Sequence, residues 1–180
     1  MLYVPREIVD PSHPGFIAQA ADEIEKLLHI SKGRAFILFT SYRNLERAHE
    51  LLYDRLEFPV LKQGDAPKSE LLEEFREDEN SVLFATHSFW EGVDVAGQSL
   101  TSVIIDKLPF DSPGDPLIAA RIDRIRKLSG DPFNAFQLPR AVLALKQGLG
   151  RLIRSKSDYG ILAVLDRRLL SRRYGAAFLS

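Results

Sequence analysis

The stretch Ala35-Phe36-Ile37-Leu38-Phe39-Thr40-Ser41-Tyr42-Arg43-Asn44-Leu45 changes its periodicity half-way along. Its first five residues are apolar without a break, which suits a strand buried on both faces. From Asn44 onward the apolar positions are Leu45, Ala48, Leu51, Leu52 and Leu56, spaced for one face of a helix over 44–56. A doubly buried strand running directly into an amphipathic helix is the repeating unit of a parallel α/β sheet. Thr40 and Ser41, at the junction, are both residue types that cap a helix N-terminus.

The same alternation recurs along the chain. Short apolar runs predict strands at 35–40, 59–61, 81–86, 102–107 and 160–165. Helical spacing predicts helices at 16–28, 44–56, 69–76, 116–128, 139–153 and around 168–174, with Pro67 placed to open the third. The 180 residues carry no internal repeat and no low-complexity linker, and the irregular stretch 109–115 reads as a loop. The expectation is one domain over 1–180, of α/β class, with helices on both faces of a mainly parallel sheet.

Hydrophobic residues make up 45% of the chain and charged residues 27%, the balance of an ordinary folded domain. No apolar run approaches the ~20 residues that cross a bilayer, and MLYVPREIVD lacks the basic end and apolar stretch of a signal peptide. A cytoplasmic protein with no membrane partner is therefore expected. There is no cysteine, and His13, His29, His49 and His87 lack ligand spacing, so neither a disulfide nor a bound metal is expected. Residues 1–100 carry 10 Lys/Arg against 18 Asp/Glu, and residues 101–180 carry 14 against 7. The second half is where an anion should bind.

Ligands of such sheets bind beyond the carboxyl ends of the strands. The loops to inspect begin at Thr40, Ser41 and Tyr42, at Gln63 and Gly64, at His87, and at Lys107. A further signal is Gln147-Gly148-Leu149-Gly150-Arg151-Leu152-Ile153-Arg154. On a helix, Gln147, Gly150, Arg151 and Arg154 share one face, opposite Val142, Leu145, Leu149, Leu152 and Ile153. Two guanidiniums and an amide held side by side suit a polyoxyanion, and Gly150 leaves room for it to come close. A plain basic helix face is the alternative. In Ser88-Phe89-Trp90-Glu91-Gly92-Val93-Asp94, two acids around a glycine could hold ribose hydroxyls, a water or a partner arginine, and the aromatics could stack on a base. The alternative is that the aromatics are core and the acids form a turn. Thr40, Ser41 and Tyr42 present hydroxyls at a helix start, suited to phosphate or to capping. The chain contains no G-x-x-x-x-G-K-[ST] loop and no magnesium-holding acidic pair, so it is not a complete nucleotide hydrolase of the phosphate-loop kind.

Taken together, FTSY at 39–42, FWEGVDVAG at 89–97 with KLPF at 107–110, and QGLGRLIR at 147–154 resemble the second motor domain of superfamily 2 helicases. Within them the chain resembles the DinG/XPD group, and its bacterial DinG and YoaA branch in particular. The resemblance runs from LYVPR at 2–6 to LDRRLLSRRYG at 165–175. It implies a RecA-like three-layer fold acting as half of an ATP-dependent, 5′-to-3′ DNA helicase of repair or replication, associated with the nucleoid. The other half would be a first RecA-like domain carrying the phosphate loop, the magnesium and an iron–sulfur cluster. It further implies that Gln147, Arg151 and Arg154 act catalytically on ATP with Mg²⁺, with Gly150 beside them. Glu91, Gly92 and Asp94 would couple that nucleotide site to DNA. Thr40, Ser41, Tyr42, Gln63, Gly64, Ser88, Phe89 and Trp90 would contact single-stranded or forked DNA. Other partners would be repair or replication proteins. A DNA-binding scaffold in a DinG-like nuclease, or a non-enzymatic RecA-like interaction module, is the alternative.

Overall fold

The computed structural model of the protein describes residues 1–86, 89, 100–112, 114–149 and 160–180. Six strands are described: β1 (Leu2–Tyr3), β2 (Ala35–Phe39), β3 (Val60–Lys62), β4 (Val82–Thr86), β5 (Ser102–Ile105) and β6 (Ile161–Val164). They form one sheet in the order β1-β6-β5-β2-β4-β3, and each described pairing is parallel. The helices are α1 (Phe16–Ser31), α2 (Tyr42–Leu52), α3 (Lys68–Glu77), α4 (Pro116–Lys127), α5 (Leu138–Leu149), α6 (Arg168–Ser171) and α7 (Ala176–Leu179).

The five apolar runs of the sequence became β2 to β6, and the period-two alternation along them divides the core. Ala35, Ile37 and Phe39 of β2, with Val82 and Phe84 of β4, pack under α1 and α2. Phe36 and Leu38, with Leu83 and Ala85, face Leu71, Leu72 and Phe75 of α3 and Ala141 and Leu145 of α5. Helices on both sides of one sheet make the three-layer α/β/α architecture, and each fully buried Leu, Ile or Phe contributes ~1.5–3 kcal/mol to it.

Several features differ from the expected elements: α2 ends at Leu52 rather than at 56, and a π-helical turn at Phe133–Gln137 precedes α5. The edge strand β1 was not expected, because two residues carry no periodicity. The single helix expected around 168–174 is three short pieces, α6, a 3₁₀ turn at Arg173–Gly175, and α7.

Local chemistry sets the joints. Ser41 caps α2, accepting from the Asn44 N–H at 3.3 Å, and Asp115 caps α4 through the N–H groups of Leu117 and Ile118, with Pro116 following. Between α1 and β2, Lys32, Gly33 and Arg34 all have positive φ, of 57°, 74° and 51°. A Cβ on Gly33 would lie 1.9 Å from the Asn80 carbonyl oxygen, so this turn admits only glycine.

Candidate functional site

β2 lies between β5 and β4, so the chain leaves β2 toward one edge of the sheet and later takes up β5 on its other side. Loops that diverge in this way leave a crevice at the carboxyl ends of the strands. A cleft of about 580 Å³ occupies that place, lined by Thr40 after β2, Phe110 and Asp111 after β5, and Arg140 and Gln147 of α5. Thr40 and Gln147, 107 positions apart in the sequence, thus share one cavity.

Behind Thr40 of the cleft lies Asp106, fully buried just after β5. Its carboxylate accepts from the Thr40 N–H at 3.0 Å, the Lys107 N–H at 2.8 Å, the Asn44 side-chain amide at 2.8 Å and, at 3.4 Å, the Thr40 hydroxyl. Burial pushes this carboxyl up from 3.8 to about 6. The Asn44 amide, the Lys107 charge and the two backbone N–H groups oppose the shift. One strand over, Asp166 is equally buried, accepting from the Leu108 N–H at 2.9 Å and from the Arg168 guanidinium, with Nη2 at 2.6 Å. The loop from Asp106 to Leu108 is therefore pinned on both sides by buried carboxylates. Farther out, Arg140 pairs bidentately with Asp111, at 2.5 and 3.2 Å, and lies over the Phe136 ring.

The other strand-end residues form a second network. Gln63 Oε1 accepts from the Thr86 N–H at 2.7 Å and the Thr86 hydroxyl at 3.0 Å, while its Nε2 donates to the Tyr42 hydroxyl at 2.5 Å. Tyr42 itself is 55% exposed. Gly64, beside Gln63, has φ +108°, a conformation that other residues adopt only under strain.

Of the residues singled out from the sequence, Thr40, Ser41, Tyr42, Gln63 and Gly64 line the carboxyl end of the sheet, and Gln147 stands exposed on α5. The capping role falls to Ser41, while Thr40 is tied to Asp106. Phe89 is 5% exposed, within the core, with the Lys68 ammonium 5.2 Å from its ring centroid. Ser88, Trp90, Glu91, Gly92, Asp94, Gly150, Arg151 and Arg154 lie outside the described residues. The reading of the sequence missed Asp106, Asp166, Asn44 and the Asp111–Arg140 pair. A signal for the first two was present: Val103-Ile104-Ile105-Asp106 and Ala163-Val164-Leu165-Asp166 are both apolar strands that end on an aspartate.

Comparisons with known proteins give the family of this fold. Residues 24–180 match the family model described as a helicase C-terminal domain. The chain belongs to that family. As a helicase C-terminal domain it is 46% identical, over 180 residues, to the ATP-dependent DNA helicase YoaA of Escherichia coli strain K12, covering 100% of this chain and 28% of YoaA. It is 42% identical over 176 residues to the ATP-dependent helicase DinG of Mycobacterium tuberculosis strain H37Rv, covering 97% of this chain and 26% of the relative. The 3′-5′ exonuclease DinG of Bacillus subtilis strain 168 is 39% identical over 184 residues, covering 98% of this chain and 20% of the relative. This domain therefore spans about a quarter of the length of its helicase relatives. Its fold matches that of apo XPD with a TM-score of 0.78 at 20% identity, over 97% of this chain and 37% of XPD. It matches Xpd4 of S. tokodaii with a TM-score of 0.72 at 19% identity, over 98% of this chain and 36% of that one.

Proposed function

We propose that this chain is the second motor domain of an ATP-dependent, 5′-to-3′ DNA helicase, completing an ATP site whose phosphate loop and magnesium acids belong to a first RecA-like domain. The observation that carries the reading is the cleft in which Thr40, expected on the DNA, and Gln147, expected on the nucleotide, face the same space.

The nucleotide supplies the phosphoryl group whose transfer to water drives the motor. This chain supplies positioning and charge. Arg151 and Arg154 stabilise the charge that spreads over the phosphoryl oxygens, Gln147 orients the same group, and Gly150 lets it approach. Glu91, Gly92 and Asp94 link that event to the strand-end loops, where Thr40, Ser41 and Tyr42 meet the backbone of single-stranded DNA. Closing on ATP and reopening after hydrolysis moves the strand along. The iron–sulfur cluster of the DinG/XPD group would sit in the first domain, which is consistent with a chain free of cysteine.

Arg151→Ala in the full-length protein is expected to lower DNA-stimulated turnover by on the order of 10³-fold or more, with nucleotide affinity and melting temperature near wild type. Near-normal kcat, or a melting temperature that collapses with the activity, refutes the assignment. The exonuclease name of the Bacillus subtilis relative favours a second reading, a DNA-binding scaffold in a nuclease. Degradation of single strands by a full-length protein with no DNA-stimulated ATP turnover would select it.

A further inference from the structure

We infer that Gln63 fixes the Tyr42 hydroxyl as a hydrogen-bond donor toward a phosphodiester oxygen of the bound strand, making Gln63 a positioning residue rather than a contact. The inference rests on the proposal that this end of the sheet carries single-stranded DNA.

The argument is one of hydrogen-bond polarity. A backbone N–H can only donate, so the Gln63 atom 2.7 Å from the Thr86 N–H is the carbonyl oxygen. That settles the orientation of the amide, which geometry alone would leave open. The Thr86 hydroxyl also donates into the same oxygen at 3.0 Å. The other end of the amide is then an NH₂ group, and the Tyr42 oxygen beside it must accept. An oxygen accepting from Gln63 turns its own proton elsewhere. Tyr42 is the first residue of α2 and more than half exposed, so that proton is directed outward.

The neighbouring hydroxyls are sorted by the same rule. The Ser41 oxygen accepts from the Asn44 N–H, which leaves its proton available to solvent or a ligand. Thr40 is the reverse: its N–H and its hydroxyl both donate inward to Asp106, so its oxygen can only accept from outside. A phosphodiester oxygen carries no proton and needs donors. Ser41 and Tyr42 meet that need as donors, while Thr40 lies beside the strand without donating to it.

Gln63 therefore joins three segments: its own loop after β3, the last residue of β4, and the first residue of α2. Thr86 lies five residues before Glu91, the first residue expected to couple DNA to nucleotide. A shift of the end of β4 would be felt at the Tyr42 proton through one amide.

The test uses the full-length protein and a fluorescein-labelled oligo(dT) strand, read by anisotropy across a salt titration, with melting temperatures measured in parallel. Tyr42→Phe is expected to weaken binding about tenfold, the scale of one hydrogen bond to a charged group, without changing the salt slope or the melting temperature. Gln63→Leu is expected to weaken binding comparably in the wild-type background and to add nothing to Tyr42→Phe. Additive effects of the two substitutions overturn the positioning role. Wild-type affinity in Tyr42→Phe with a loss in Ser41→Ala overturns the donor assignment and leaves the strand track standing. Wild-type affinity in Thr40→Val, Ser41→Ala, Tyr42→Phe and Gln63→Leu alike overturns the strand track, and the inference with it.

Discussion

Replacing Asp106 by asparagine isolates the effect of one buried charge on this fold. The variant keeps the shape and one carbonyl oxygen, which can still accept from the Thr40 and Lys107 N–H groups. Its new N–H faces the Asn44 amide, which can turn over and accept. What changes is ionisation. The carboxyl is pushed from 3.8 up to about 6 by burial, and about two pH units at 1.36 kcal/mol each come to roughly 3 kcal/mol. Because the folded value lies above the unfolded one, the favourable contribution is complete below about pH 4 and is lost as pH rises through about 6. Wild type and Asp106→Asn should therefore be equally stable near pH 4, and the variant should be more stable by up to about 3 kcal/mol at pH 7 to 8. Asp10 and Asp131 titrate in the opposite sense. The Ser12 N–H and hydroxyl hold the first below the usual carboxylate range, and the Asn134 amide and backbone the second. Both are present in both proteins and cancel in the difference. Urea unfolding followed by circular dichroism at steps from pH 4 to 8 gives that difference directly. A flat difference curve refutes the reasoning. Asp106→Ala is the control: it strands two backbone donors and an amide, and should lie about 2–5 kcal/mol below Asp106→Asn at every pH.

Single-strand binding by the full-length protein should weaken with salt by a slope of about −0.7 per phosphate neutralised, and an affinity indifferent to salt would count against any backbone contact. Gly33→Ala meets both a positive φ and the Asn80 carbonyl oxygen at 1.9 Å. It should cost at least about 3 kcal/mol and lower the melting temperature by roughly 10 °C, measured by calorimetry. A variant melting within 2–3 °C of wild type, by roughly the same conversion, would show that the turn can be rebuilt. Arg151→Lys should recover little of the turnover lost in Arg151→Ala, since an ammonium lacks the planar fork.

The strands legible in the sequence are those whose burial on both faces left an unbroken apolar run, such as Ala35–Phe39 and Val82–Thr86. β1 was illegible because its pairing, Leu2 with Leu162 and Tyr3 with Ala163, is decided by residues 160 positions away. The π-turn at Phe133–Gln137, where Phe133 packs against Phe110 and Tyr174, is likewise a product of distant contacts. At the site, the hydroxyls of FTSY and the face of Gln147 could be read from local spacing. The partners that orient them could not. Asp106 and Thr40 are 66 residues apart and Gln63 and Tyr42 are 21 apart, and no periodicity within either segment announces that they meet. A residue type shows what hydrogen bonds a side chain can make, and the fold decides which of them face inward.

Among the described strands β1 has one neighbour, β6, which is the last of them to be made. On a ribosome adding ~5–20 residues per second, β1 waits roughly 8 to 32 s for β6 to emerge. During that interval α1 must cover the β2 and β4 side of the sheet while the strand preceding it hangs loose, and β5 exposes an unpaired row of backbone N–H and C=O groups. A chain cut short before residue 160 would keep both edges open indefinitely. Open parallel edges of this kind template pairing with other chains. The arrival of β6 therefore closes two edges at once, and the interval between β5 and β6, roughly 3 to 11 s at that rate, is the period in which this domain is most exposed to aggregation.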